Sequence, residues 1–209
     1  MNHFGKICCL LMTMSLLTGG CLSLKQPAMR SDYYSPEYDP PKVSDKKMLP
    51  FVIGVDRFQV APFYDTDKIV SRDGAFKRSA NTYHRWISNP GNIVSYFLAR
   101  DIKSSGLFKA VFSSDRSISP SHKITGAVDE FFEQKETDSG SAVICVSITL
   151  MAENEPDVSK RVLLQKKYSE QEICAQKEPQ ALAEAMSKAM SRLFGKIIAD
   201  IYDCLADKL

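Results

Sequence analysis

The apolar pattern of this chain predicts an α+β fold: an antiparallel sheet with two helices packed on one face, in a single domain behind a signal peptide and a tether. Three observations carry the prediction. Several segments alternate apolar and polar residues with the period of a half-buried strand. Two others repeat apolar residues with the period of a helix. Turn residues, not crossover lengths, separate the later strands.

Taken in order, Phe51-Val52-Ile53-Gly54-Val55 through Val60 alternates around Asp56 and Gln59 and reads as a strand that Pro62 ends. Asp67 to Ser71 and Ala75 to Ser79 form two short strands joined at the turn pair Asp73-Gly74. Asn89-Pro90 opens a helix, with Asn as N-cap and Pro at the first position. Ile93, Val94, Phe97, Leu98 and Ile102 give it one apolar stripe, and Gly106 ends it. Leu107 to Phe112 is a further strand. Lys123–Gln134, Ala142–Ala152 and Arg161–Ile173 make an antiparallel meander, with Ile124, Gly126, Val128 and Phe132 on one face of its first strand. Pro179 opens the last helix, whose Leu182, Met186, Ala189, Met190, Leu193, Ile197, Ile201 and Leu205 share a face. That Met-bearing face reads either as core or as an adaptable lipid groove.

Composition bounds the function. Of 209 residues, 44% are apolar and 25% charged, which excludes collagen-like, low-complexity, multispanning and wholly disordered chains. The formal net charge is +2 with no basic block, so nucleic acid is not an expected partner.

The N-terminus is a targeting segment. Lys6 precedes an apolar run from Ile7 to Leu17, too short to span a bilayer as a helix. Leu17-Thr18-Gly19-Gly20-Cys21 resembles the bacterial lipobox, with Thr18 where Ala or Ser is usual. The resemblance implies that Cys21 becomes the acylated first residue of the mature protein, which anchors it to the bilayer. Several acyl chains make such an anchor effectively permanent. Leu22, not Asp, follows the cysteine, which by resemblance to enterobacterial sorting implies the outer membrane, with the domain facing the periplasm. The expected organisation is a signal peptide over 1–20, a lipidated flexible tether over 21–50 rich in Pro, Ser, Lys, Asp and Tyr, and the α+β domain over 51–209. Asp32-Tyr33-Tyr34 within the tether reads as a segment that docks its tyrosines on the domain, or as a partner-binding element.

Little catalytic chemistry is marked. The mature chain has two histidines, His84 and His122, and lacks a nucleophile elbow, a P-loop, a zincin motif and a Cys-x-x-Cys pair. No enzyme activity, cofactor or metal site is expected. Of the mature cysteines besides Cys21, Cys145 and Cys174 are the better candidates for a disulfide in an oxidising periplasm; the alternative is that these two and Cys204 are small buried hydrophobes.

The most distinctive stretch runs through Val60-Ala61-Pro62, Ile69-Val70-Ser71-Arg72, Tyr83-His84-Arg85-Trp86 and the helix ending at Ser105-Gly106-Leu107-Phe108-Lys109-Ala110-Val111. Here the chain resembles the ABC-type transport auxiliary lipoproteins, the family of paraquat-inducible protein C, which accompany MCE-type lipid transporters. The resemblance covers about Asp32 to Leu205. It implies an accessory subunit whose partners are the MCE-domain protein and the ABC permease and ATPase, with no nucleotide site of its own; a homo-oligomer stays open. Arg72, Tyr83, Arg85 and Trp86 read either as structural, with Trp86 a packing anchor, or as part of the surface that meets the MCE subunit. The alternative function is that of another envelope-assembly lipoprotein, for lipopolysaccharide assembly or for activating a peptidoglycan synthase.

Overall fold

The computed structural model describes residues 30–43, 46–113, 119–136 and 139–208. The expected signal peptide, Cys21 and the first part of the expected tether lie outside them. Residues Ser31–Leu209 form one compact unit. Among the described residues, nine strands and three helices follow in the order β1 (Asp32–Tyr34), β2 (Leu49–Val55), β3 (Gln59–Val60), β4 (Lys68–Asp73), β5 (Lys77–Trp86), α1 (Pro90–Ser104), β6 (Phe108–Ser113), β7 (His122–Lys135), β8 (Gly140–Ala152), α2 (Val158–Arg161), β9 (Val162–Ile173) and α3 (Pro179–Ala206).

The architecture is α+β, and β7 is its spine. One edge of β7 pairs antiparallel with β8 from His122↔Ala152 to Lys135↔Gly140, and β8 pairs antiparallel with β9, so the predicted meander is present. The other edge takes three parallel strands in series: β2 at His122–Ile124, β3 at Ala127–Val128 and β4 at Glu133–Lys135. The sheet therefore forks there. One branch continues from β2 to β6, and the other from β4 through β5 to β1.

The sheet is mixed, where a wholly antiparallel one was expected. β1–β5 and β2–β6 also run parallel. A parallel pair needs a long crossover, and α1 lies in the chain between β2 and β6 and packs on both.

The helices form as their ends dictate. Asn89 Oδ1 accepts the Gly91 N–H at 2.9 Å, Pro90 takes the first turn, and Gly106 closes α1 with φ 66°. The α3 stripe from Leu182 to Leu205 is wholly buried, with Phe194 and Ile198 widening it. Met186 and Met190 are at zero exposure, so the Met-bearing face is core and not a groove. Both long helices pack on one face of the sheet, against Ile124, Val128, Ile144, Val146, Ile148 and Leu150. A bulge between Val128 and Glu130 breaks the strand alternation. Phe131 thus enters the main core, while Phe132, expected on that face, turns to the other and joins a small cluster with Tyr64 and Val70.

The flexible tether expected over 21–50 is not what residues 31–50 form. Asp32–Tyr34 adds as an edge strand, and the chain then crosses the helix layer as a strap. Pro36 is buried, the Glu37 N–H donates to Ser187 Oγ of α3 at 2.9 Å, and the Lys47 carbonyl accepts the Tyr202 hydroxyl at 2.8 Å. Tyr38 stacks on Phe97 of α1 at 5.3 Å, and the Arg100 guanidinium covers both rings at 4.5 Å. The Tyr38 hydroxyl donates to Asp101 Oδ2 at 2.9 Å, and Arg100 Nε donates to Oδ1 at 2.8 Å. Asp101 is fully buried, and that burial pushes its carboxyl above the usual range. The physical reason for the short tether is that aromatic and apolar residues inside a polar-looking segment find partners on α1 and α3.

Two predictions follow from this packing. A Cβ on Gly126 would strike the Ser147 carbonyl oxygen and stand 2.6 Å from Phe58 Cε2, so Gly126→Ala should cost about 1–3 kcal/mol in urea unfolding. Tyr38→Phe leaves Asp101 one donor short and should cost about 1–3 kcal/mol near neutral pH. Loss of the hydroxyl raises the carboxyl further, and a buried acid with a raised folded-state pKa destabilises only when ionised. The deficit against wild type should therefore shrink as pH falls through the carboxylate range, checked by urea midpoints at a series of pH values.

Candidate partner-docking surface

Of the four residues that read as structural or as a partner surface, one is turned into the core. Trp86 is 1% exposed and meets Phe131 edge-on at 5.2 Å, at the centre of the core. Arg85, its neighbour on β5, points away from that core; its Nη1 lies 2.9 and 3.0 Å from the two oxygens of Asp67. Arg72 stacks over Phe132 at 5.7 Å on the helix-free face. Tyr83 is exposed, held beside an Asn81 turn in which Oδ1 accepts the N–H groups of Tyr83 and His84. The Trp86 part of the set is thus a packing anchor, and the contact reading is corrected for it.

Of the two readings of the cysteines, a Cys145–Cys174 disulfide or unpaired thiols, the structure has the second: Cys145, Cys174 and Cys204 are free. Cys145 faces Ser169 across the β8–β9 ladder, whereas Cys174 donates its N–H to the Gly140 carbonyl five residues away along β8. Strand rise alone separates them by about 17 Å, beyond the Cα separation a disulfide allows. Burial raises all three thiols above their usual pKa.

Two of the exposed apolar or aromatic side chains, Ile87 and Tyr96, border one hollow. Tyr33 on β1 stands opposite Arg85 and so faces away from the main core, while the Ile87 N–H donates to the Tyr34 carbonyl at 2.8 Å and sets Ile87 at the end of β5 beside β1. Ile87 borders a hollow of about 360 Å³ with Ser35, Ile93, Tyr96, Phe97 and Arg100. Tyr33, Ile87 and Tyr96 are 58%, 61% and 67% exposed. Tyr96 left a trace in the sequence: an aromatic lying off the apolar stripe of its own helix. Ile87 left none beyond its place after Trp86.

Both described histidines make local hydrogen-bond contacts. His84 Nδ1 lies 3.3 Å from the Tyr34 hydroxyl. Ser121 Oγ lies 3.0 Å from His122 Nδ1, but it also accepts the Val52 N–H and reaches the Val52 carbonyl, so the hydroxyl closes the β2–β7 junction. Among the described residues, no group of His, Cys, Asp and Glu is arranged to hold a metal ion, and no helix is long and apolar enough to cross a membrane.

Residues 35–198 match the family model of the ABC-type transport auxiliary lipoprotein component. The chain belongs to that family. The match begins at Ser35, inside the strap, so the strap is part of the family's domain. A Xanthomonas campestris protein of the DUF330 family has the same fold, with a TM-score of 0.75 at 14% identity over 85% of this chain and 98% of that one. The hypothetical protein CT253 of Chlamydia trachomatis is similar at a TM-score of 0.53 and 10% identity, covering 74% of this chain and 96% of its own. No curated protein matches the chain. These likenesses establish the fold, and the family match establishes an auxiliary lipoprotein of ABC-type transport.

Free thiols give a direct check on this auxiliary lipoprotein. Alkylation of the unreduced, denatured protein followed by peptide mapping should recover Cys145 and Cys174 each singly alkylated; a Cys145–Cys174 linked peptide would contradict the ladder register.

Proposed function

We propose that this protein is a non-enzymatic subunit, acylated at Cys21 and anchored in the outer membrane, that docks the periplasmic end of an MCE-type lipid transport system. The family match over 35–198 carries the reading, since it makes the chain an auxiliary lipoprotein component of ABC-type transport. The sequence before the domain supports the anchor: ten residues separate Cys21 from Asp32. Fully extended, they reach about 35 Å at most. The domain then stays close to the bilayer, and the exposed Ile87, whose N–H bonds the Tyr34 carbonyl, lies beside the first described strand.

The function is positional. The anchor fixes the domain at the membrane, and a complementary surface recruits the partner. Ile87 and Tyr96, exposed and aromatic or branched, have the character of interface anchors.

Affinity recovery of the anchored protein from native envelope tests the reading. An MCE-domain protein with its permease or ATPase should be recovered. Recovery should fall with Cys21→Ala, which should also abolish labelling by a palmitate analogue. Ile87→Asp combined with Tyr96→Asp should reduce recovery while changing stability little, because neither side chain is buried. Recovery of peptidoglycan synthases or lipopolysaccharide-assembly proteins in place of the transporter would overturn the proposal.

A further inference from the structure

A second surface lies on the other side of α1, where the forked sheet ends. β6 pairs with β2 on one edge and with no strand on its other edge among the described residues. Beside that open edge runs α1, whose Tyr96, Ala99, Arg100 and Lys103 are spaced to fall on one helical face. Helix and strand enclose a trough of about 540 Å³ along the whole of β6, from Phe108 to Ser113.

The ladder register shows which amides the trough presents. The Leu49 N–H donates to the Leu107 carbonyl at 2.8 Å, which turns the peptide groups of Leu107, Lys109 and Val111 toward β2. By the alternation of a parallel ladder, those of Ala110 and Phe112 face the trough. A free strand edge beside a helix is the geometry into which an extended peptide adds as a further strand, with backbone hydrogen bonds for affinity and side chains for choice.

Charge selects the occupant. Lys103 and Lys109 border the trough, and neither has an ion-pair partner among the described residues. Arg100, at the same helix face, is tied to Asp101. Two uncommitted ammonium groups flanking a free strand edge match a segment bearing carboxylates. This chain's own undescribed segments fit poorly: residues 1–29 contain no Asp or Glu, and residues 114–118 carry one Asp and one Arg.

We propose that the trough between α1 and the open edge of β6 binds an extended acidic segment of a partner protein as an added β-strand, with Lys103 and Lys109 pairing its carboxylates. A lipid surface would satisfy the lysines but not the strand edge, which asks for a peptide backbone. The proposal rests on the accessory-subunit reading for where that partner comes from.

The test places photoreactive p-benzoylphenylalanine at Phe112 in the full, anchored chain and irradiates native envelope. The expected result is a cross-link to a segment of another protein rich in Asp or Glu. Its yield should drop at least about tenfold in the Lys103→Glu, Lys109→Glu variant, whose exposed positions leave the fold intact by circular dichroism. A synthetic peptide of the captured segment should slow amide exchange at Ala110 and Phe112 in the purified protein. Cross-linking to lipid or to a second copy of this chain, no cross-link at all, or a yield unchanged by the double variant would overturn the proposal. If the transporter is still recovered from the envelope in that event, the accessory reading stands and only this trough falls.

Discussion

Everything in this fold hangs on the two edges of β7. One edge is spent on a single long partner, β8. The other is shared by β2, β3 and β4 in turn, and a strand shared in that way forces the sheet to fork. A fork leaves apolar side chains of both branches uncovered on one face. α1 covers that gap, running from the end of β5 on one branch to the start of β6 on the other. Phe58 closes the junction from below. Its N–H donates to Ser95 Oγ of α1 at 2.8 Å, and its ring lies over Gly126 of β7, where only a residue without a side chain leaves room.

Charge fixes the helix layer in two different ways. On α1 the buried Asp101 is held by a strap tyrosine and its neighbouring Arg100, at a site where ionisation costs stability. On α3, Arg192 reaches both Glu170 and Glu172 of β9, and Lys196 also reaches Glu170. Burial alone would raise Glu170; the hydrogen bonds from Lys196 and Arg192 outweigh it and hold the carboxyl below its usual range. These acids pull in opposite directions as pH falls. Protonating Asp101 removes a penalty, whereas protonating Glu170 removes a stabilising pair. The partly exposed lysine and arginine keep the second effect modest.

Much of this was legible in the sequence, for local reasons. Asn89-Pro90, Gly106 and Pro179 mark helix ends through their own backbone chemistry, and the α3 stripe buries every position its period predicts. The meander was legible because hairpins impose antiparallel pairing. The parallel pairs were not, because strand direction across a fork depends on which distant segment arrives at β7. The bulge at Asp129 was equally silent: one extra residue exchanges the faces of Phe131 and Phe132 without altering composition. The strap was hidden by its prolines and charges, since Tyr38 becomes structural only when Phe97, Arg100 and Asp101 meet it. Of the candidate surface, the motif Tyr83–Trp86 was visible, but not that the hairpin strand read over Ala75 to Ser79 runs on to Trp86, nor which side chains face inward. Ile87 becomes notable only through its exposure, whereas Tyr96 already stood off its helix's apolar stripe.

The positions of the two surfaces relative to the chain's entry carry a functional consequence. The hollow at Ile87 and the trough at β6 share Tyr96 and Arg100, so they are neighbouring parts of one flank of α1. α1 has 15 residues, which makes the flank about 22 Å long. The described chain begins at one end of that flank, at β1, and the open edge of β6 lies toward the other. With the anchor proposed at Cys21, a partner strand bound at β6 is held within a few tens of ångströms of the bilayer while the Ile87 hollow stays nearer the chain's entry. A rigid helix between the two points sets that spacing more firmly than a flexible tether of thirty residues could. On this geometry the strap does more than stabilise the helix layer: with Glu37, Tyr38 and Lys47 bonded to α1 and α3, only the residues before Asp32 are left to serve as a tether for the proposed anchor.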